Sequence, residues 1–198
     1  MSEVKNNIEQ SLISGGVGVI PTDTLYGLVA RAEDAAAVLR VYQIKNRDKS
    51  KACIILISKL EDLEHFRISF DAQTQEYLKS VWPGPVSVIL PCRENQFEYL
   101  HRGTNELAFR LPKNDRLISI ITSVGPLIVP SANTEGLPPA KNISEARNYF
   151  GDNVDFYLDG GELLGEPSAL IWLKGNEPEV LRSGGVFRKK LFSVTMKI

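Results

Sequence analysis

Asp34-Ala35-Ala36-Ala37-Val38-Leu39-Arg40-Val41-Tyr42-Gln43-Ile44-Lys45-Asn46-Arg47-Asp48-Lys49-Ser50-Lys51-Ala52-Cys53-Ile54-Ile55-Leu56-Ile57 divides into three parts. Asp34 is a helix-capping residue type, and the alanines with Leu39 and Tyr42 predict a helix running to about Lys45. Ile44 to Lys51 then places four cations among eight residues. Ala52 to Ile57 is continuously apolar, which predicts a strand buried on both faces. A helix, a short polar link and a buried strand form the repeating unit of an α/β fold.

The same alternation extends in both directions. Val4, Ile8 and Leu12 lie on one helical face, and Gly15-Gly16 is a natural stop. Val17 to Ile20 reads as a short strand ended by Pro21. Ser58 with Glu61 predicts a capping box for a short helix through Leu63 and Phe66. Asp71 to Val81 reads as a helix broken by Trp82-Pro83-Gly84-Pro85. Strands are predicted at Val86–Leu90, Leu107–Leu111, Leu127–Val129, Asp155–Leu158, Ala169–Leu173 and Glu179–Leu181, the last two completing the core. Helices are predicted at Asp115–Val124, with Leu117, Ile118 and Ile121 inward, and at Ser144–Phe150. The expectation is one domain over residues 1–198, with a mixed sheet flanked by helices and a basic tail at 186–198.

Length and composition narrow the function classes. A chain of 198 residues with 43% hydrophobic content can build a substantial core. Its formal net charge of −1 gives no global attraction to nucleic acid or anionic membrane, so any phosphate-binding surface must be a local patch. Cys53 and Cys92 show neither metal-ligand spacing nor a disulfide framework and read as reduced thiols. No run approaches the length of a membrane span or a secretory apolar region, so a cytoplasmic protein is expected.

The chemistry-bearing segments are few. Pro21 delivers Thr22, Asp23 and Thr24 into a loop at a strand end, where ligands gather in α/β proteins; the same residues also suit a turn. Lys45 and Arg47 supply a point charge and a planar fork suited to phosphate or carboxylate oxygens, although a basic stretch also suits a solvated helix end. Ser131 and Asn133, after the apolar Pro126–Pro130 run, form an oxyanion-binding type of turn. Arg110 lies in an apolar strand and must reach an anion or snorkel. No P-loop or G-x-G-x-x-G occurs, no Ser–His–Asp or Cys–His arrangement is visible, and His65 and His101 read as structural or solvated in loop-like or helix-surface settings.

In order, these segments resemble the YrdC-domain family, in particular its short single-domain threonylcarbamoyl-AMP synthases. The match runs through Gly15-Gly16, Pro21-Thr22-Asp23-Thr24-Leu25-Tyr26-Gly27-Leu28, Lys45-x-Arg47, Trp82-Pro83-Gly84-Pro85, Phe109-Arg110-Leu111-Pro112, Pro130-Ser131-Ala132-Asn133, Pro167-Ser168 and Leu181-Arg182-x-Gly184. The resemblance implies a twisted mixed sheet around a large basic cavity. It also implies condensation of L-threonine, bicarbonate and ATP into threonylcarbamoyl-AMP with release of pyrophosphate. By the same resemblance Thr24, Arg110, Val129 and Ser168 hold threonine, and Arg47, Lys51, Ser131, Asn133 and Arg182 surround ATP. Lys45, Arg47, Ser131 and Asn133 make up its catalytic signature, and Mg2+ is expected on the ATP oxygens rather than in a dedicated protein site. The product is expected to pass to a separate complex that modifies position 37 of tRNA.

The chain departs from the family pattern at Asn46 and Asp48, where a Gly and a Pro are frequent, and at Pro139, Ala169 and Ser183. The competing expectations are a YrdC-like module that contacts tRNA or double-stranded RNA, and a paralogue that adenylates another carbamate.

Overall fold

The computed structural model describes residues 2–174 and 177–185; the basic tail expected at 186–198 lies outside the described residues. The first half holds α1 (Ser2–Ile13), β1 (Gly18–Pro21), β2 (Tyr26–Arg31), α2 (Ala35–Lys45), β3 (Ile54–Leu56), α3 (Ala72–Val81) and β4 (Val86–Pro91). The second holds α4 (Glu98–His101), β5 (Glu106–Arg110), α5 (Asp115–Val124), β6 (Leu127–Ile128), α6 (Ile143–Phe150), β7 (Phe156–Tyr157), β8 (Ala169–Lys174) and β9 (Glu177–Arg182).

The strands form one mixed sheet in the order β7-β1-β2-β6-β3-β5-β4-β8-β9. β1 and β2 are an antiparallel hairpin, β3 runs parallel to β5, and β4 runs parallel to β8. The helix starts follow local chemistry. Asp34 accepts from the Ala36 and Ala37 N–H groups at 3.0 Å, Asp71 from Thr74, Asn114 from Leu117 and Asn142 from Glu145. Each such cap contributes roughly 1 kcal/mol.

Alternation along the central strands gives the sheet two unlike faces. Ile55, Val88, Leu107 and Phe109 enter the main core with Val38, Val41, Leu63, Phe66 and Leu78. On the opposite face Leu56 and Leu127 pack with Leu117, Ile120 and Ile121 of α5 and Ile8 and Leu12 of α1. That second cluster draws its strand residues from β1, β2, β3 and β6. Next to it, Ile54, Ala108, Ile89 and Leu170 from β3, β5, β4 and β8 form the floor of an open cavity.

Five expectations of the fold change. In α5 Ile120 is buried beside Leu117 and Ile121, whereas Ile118 is only partly buried. Tyr26–Arg31 is a strand, so Thr22 to Leu25 are the turn of a hairpin rather than a loop leading away from the sheet. The segment has no period-2 pattern to reveal it, because five of its six residues are buried on both faces. β9 is exposed along its whole length and forms a sheet edge instead of completing the core. Val4 is exposed, and α1 packs its apolar face through Ile8 and Leu12 while Lys5 Nζ donates to Ser119 Oγ of α5 at 2.7 Å. The turn at Leu60–Phe66 is a 3-10 helix capped by Asp62, not Glu61: its Oδ2 accepts from Ser58 N, Ser58 Oγ and Lys59 N at 2.7, 2.8 and 3.3 Å.

Candidate active site

The cavity has a volume of about 370 Å3, and among the described residues Arg47, Arg110, Arg182 and Glu106 are the charged groups of its wall. Most of its polar groups fall into three hydrogen-bonded assemblies.

The first is the β1–β2 turn. Thr22 is buried, and its Oγ1 donates to Leu25 O at 2.7 Å while accepting from the Thr24 and Leu25 N–H groups, so this hydroxyl builds the turn. Thr24 Oγ1 instead receives a hydrogen bond from Arg110 Nη1 at 3.0 Å. Asp23 Oδ1 lies 3.1 Å from Arg110 Nη2, and Asp23 Oδ2 accepts from Lys113 N. Arg110, at the end of β5, is 4% exposed and satisfies the requirement for an anion through Asp23. Burial pulls its pKa below the ordinary guanidinium value and Asp23 opposes that fall, so the group stays a cation. Its Nε is buried and has no hydrogen-bond partner among the described residues.

The second piece is the chain around Ser168. Its hydroxyl is buried 3.0 Å from Ser87 Oγ, and its carbonyl accepts from Arg182 Nε at 3.0 Å. Gly184 allows this meeting: a Cβ there would stand 2.3 Å from Ala169 N. A loop before Ser168 closes on the hairpin in a similar way. Tyr26 Oη donates to Gly161 O and accepts from Gly160 N, and a Cβ on Gly165 would stand 2.1 Å from Thr24 O.

The third piece joins the two predicted signatures. α2 ends at Lys45 with Asn46 in the left-handed region, at φ 51°, a conformation that asparagine tolerates well. Lys45 is 2% exposed, and its Nζ donates to Ser131 O, Asn133 O and Asn133 Oδ1 at 2.7, 2.8 and 2.9 Å. Ser131 Oγ donates to Asn133 Oδ1 at 2.6 Å, and Asn133 Nδ2 donates to Thr134 O and Leu137 O. The helix end and the turn therefore do meet, through each other. Burial and the neighbouring Arg47 bring the Lys45 ammonium down to about 8.

The predicted residues separate into two layers. Thr24, Arg47, Arg110, Val129, Ser131, Ser168 and Arg182 line the cavity, as does Pro139. Lys45 and Asn133 stand behind that wall and fix the turn that presents Ser131. Arg47 fixes its own loop, donating from Nε to Lys51 O and from Nη2 to Ala52 O. Lys51 is an exposed residue whose Nζ lies 2.5 Å from Glu135 Oε1. Asp48, one of the departures, turns onto its own loop: Oδ1 accepts from Ser50 N and Ser50 Oγ, and these bonds lower its carboxyl pKa.

Sequence reasoning missed Glu135, Glu106, Thr104 and Ser87. Glu106 had a usable signal, since a residue four before Arg110 on the same strand must share its face. Glu135 had none, because its partners Asp48 and Lys51 lie in a distant loop. His101 is buried on α4 rather than at a helix surface, and its Nδ1 accepts from Gly103 N. Cys53 and Cys92 are buried free thiols. Among the described residues no cluster of three or more His, Cys, Asp or Glu side chains is arranged to hold a metal ion, and no helix is long and apolar enough to cross a membrane.

Fold and site together define an α/β protein with a cavity over a sheet face, its wall carrying three arginines and one glutamate among the described residues. The family model for Sua5, YciO and YrdC proteins, described as "Telomere recombination", matches residues 10–184, and the chain belongs to that family. It is 31% identical over 182 residues to a putative threonylcarbamoyl-AMP synthase of Mycobacterium tuberculosis, covering 91% of this chain and 84% of the relative. It is 32% identical to the threonylcarbamoyl-AMP synthase of Pyrococcus abyssi over 87% of this chain, but spans only 51% of that longer protein. Among solved structures, P. abyssi Sua5 complexed with L-threonine superposes with a TM-score of 0.87 at 29% identity, over 93% of this chain and 55% of that one. E. coli YciO gives 0.83 at 24% identity, over 93% and 90%, a likeness of fold.

Proposed function

We propose that this chain is a threonylcarbamoyl-AMP synthase, which joins L-threonine, bicarbonate and ATP into threonylcarbamoyl-AMP and releases pyrophosphate. The observation that carries the reading is the convergence in one cavity of two differently built regions, each pairing an arginine with a hydroxyl. Arg110 and Thr24 stand at one, and Arg47 and Ser131 at the other. The relatives named as synthases and the threonine-bound relative support the same reading.

At the first region the Arg110 guanidinium takes the threonine carboxylate, with Thr24 and Ser168 oriented by Arg110 and Ser87. At the second, Arg47, Ser131 and Arg182 take ATP, which enters with Mg2+ on its polyphosphate oxygens. Lys45 and Asn133 serve that region indirectly, by holding the Ser131 turn rigid. The threonine amine adds to bicarbonate with loss of water and gives an N-carboxylate. One oxygen of that carboxylate attacks the α-phosphorus, the bond to the β-phosphate oxygen breaks, and pyrophosphate leaves. No protein nucleophile is required; the wall supplies position and charge stabilisation. The mixed anhydride formed is reactive, and we assign its use to a separate tRNA-modifying transferase in the cytoplasm.

The test is pyrophosphate release with ATP, bicarbonate and each amino acid in turn. Threonine should give release well above serine, glycine or no amino acid, and Ser131→Ala or Arg47→Ala should abolish it. Release that is equal for all amino acids would sink the reading.

A further inference from the structure

Glu135 sits on the turn that carries Ser131 and Asn133, yet its side chain reaches across to the loop after α2. Oε1 lies 2.5 Å from Lys51 Nζ, and Oε2 accepts from Asp48 N at 3.0 Å and lies 4.0 Å from Arg47 Nη1. Arg47 has tied Nε and Nη2 to the carbonyls of Lys51 and Ala52, so Nη1 is the corner of its fork not used by the loop. That corner faces Glu135 while Arg47 itself lines the cavity. A second fact separates the carboxylate from a purely structural role. The backbone of the same residue already joins the turn to α2, since Glu135 N donates to Lys45 O at 2.9 Å. Lys45 and Asn133 add three more bonds across the same seam. The turn is therefore stapled without the Glu135 side chain.

Resting on the synthase reading, we propose that Glu135 is a built-in counter-ion of the nucleotide site, holding Lys51 and Arg47 until the polyphosphate of ATP displaces it. Lys51 keeps the Glu135 carboxyl below the usual carboxylate range, so the counter-ion is fully charged at neutral pH. The pair is open to water, with side-chain exposures of 57% and 23%, so it can break and re-form readily. Binding is then an exchange of one anion for another: the carboxylate lowers affinity for ATP and, equally, for the pyrophosphate that must leave. A cation pair without it would hold a polyphosphate more tightly and release product more slowly. Glu135 is a positioning residue in this sense, acting on the ligand through Lys51 and Arg47.

The experiment compares wild type, Glu135→Gln and Glu135→Ala by calorimetric titration with Mg·ATP and with inorganic pyrophosphate, at low and high salt. Glutamine keeps an oxygen for Asp48 N but removes the charge. Both ligands should bind about two- to fivefold more tightly to Glu135→Gln at low salt, with the gain shrinking at high salt. In turnover the KM for ATP should fall, inhibition by pyrophosphate should strengthen, and the KM for threonine should not move. Adding Lys51→Met to Glu135→Gln should erase the gain. If Glu135→Gln binds ATP more weakly than wild type, or with equal affinity, the side chain is only a staple and the counter-ion proposal is wrong, with the synthase reading untouched. If wild type itself binds no ATP, the synthase reading fails and the proposal with it.

Discussion

The molecule holds two cation–carboxylate pairs built from similar groups in opposite surroundings, one at the cavity wall through Arg110 and one on the exposed loop after α2. Arg110–Asp23 has side-chain exposures of 4% and 10%, whereas Lys51–Glu135 has 57% and 23%. A buried pair is kept together by the high penalty of leaving either charge alone in a low dielectric. An exposed pair is exchanged against water and salt for little free energy. The same chemistry thus gives a fixed pair at one region and a readily exchanged pair at the other.

The largest expected effect comes from breaking the buried pair. Asp23→Ala leaves Arg110 uncompensated and should lower stability by about 3–5 kcal/mol in urea denaturation. A loss below about 1 kcal/mol would place the pair with the exposed class and remove the contrast. Next, Arg110→Ala should raise the KM for threonine more than about tenfold while changing the KM for ATP far less. Equal effects on both substrates would end its assignment to the carboxylate.

Lys45→Met tests the layer behind the wall. It deprives the Ser131 and Asn133 carbonyls of their buried donor and should cost about 1–3 kcal/mol. The pH dependence has a definite sign. The Lys45 ammonium is lowered to about 8 in the fold from 10.5, so between those values the unfolded chain holds the proton and the folded chain does not. Unfolding then takes up a proton, and stability contributed by this group rises with pH. The stability gap between wild type and Lys45→Met should therefore widen from pH 7 to pH 10, measured by denaturant titration at each pH. A gap that narrows would show that deprotonation weakens the turn more than burial penalises the charge. The smallest effect belongs to Glu135→Gln, which should leave stability within about 1 kcal/mol of wild type while changing polyphosphate affinity.

Several parts of this arrangement are legible in the chain itself. Asp34, Asp71 and the Gly15-Gly16 stop mark helix ends through local chemistry, and the apolar run before Ser58 marks a central strand. Arg110 signals its need for an anion, because an arginine between Phe109 and Leu111 has no inexpensive alternative. β2 is hidden by its own burial, since a strand covered on both faces loses the alternation by which strands are recognised. Gly27 within it carries the remaining hint: a Cβ there would meet Val129 Cγ1 at 2.3 Å, the close approach that glycine in a strand often signals.

By itself the sequence determined most of the elements, the family pattern and the residues able to meet an anion, because these follow from periodicity, capping and side-chain chemistry close along the chain. Only the tertiary structure decided which of those cations face the cavity. Lys45 and Asn133, 88 residues apart, are turned toward each other, and Asp23 and Glu135 become partners of Arg110 and Lys51. Pairings across such separations depend on where the sheet places its strand ends, and that placement is fixed by packing of the whole core rather than by any local run of residues.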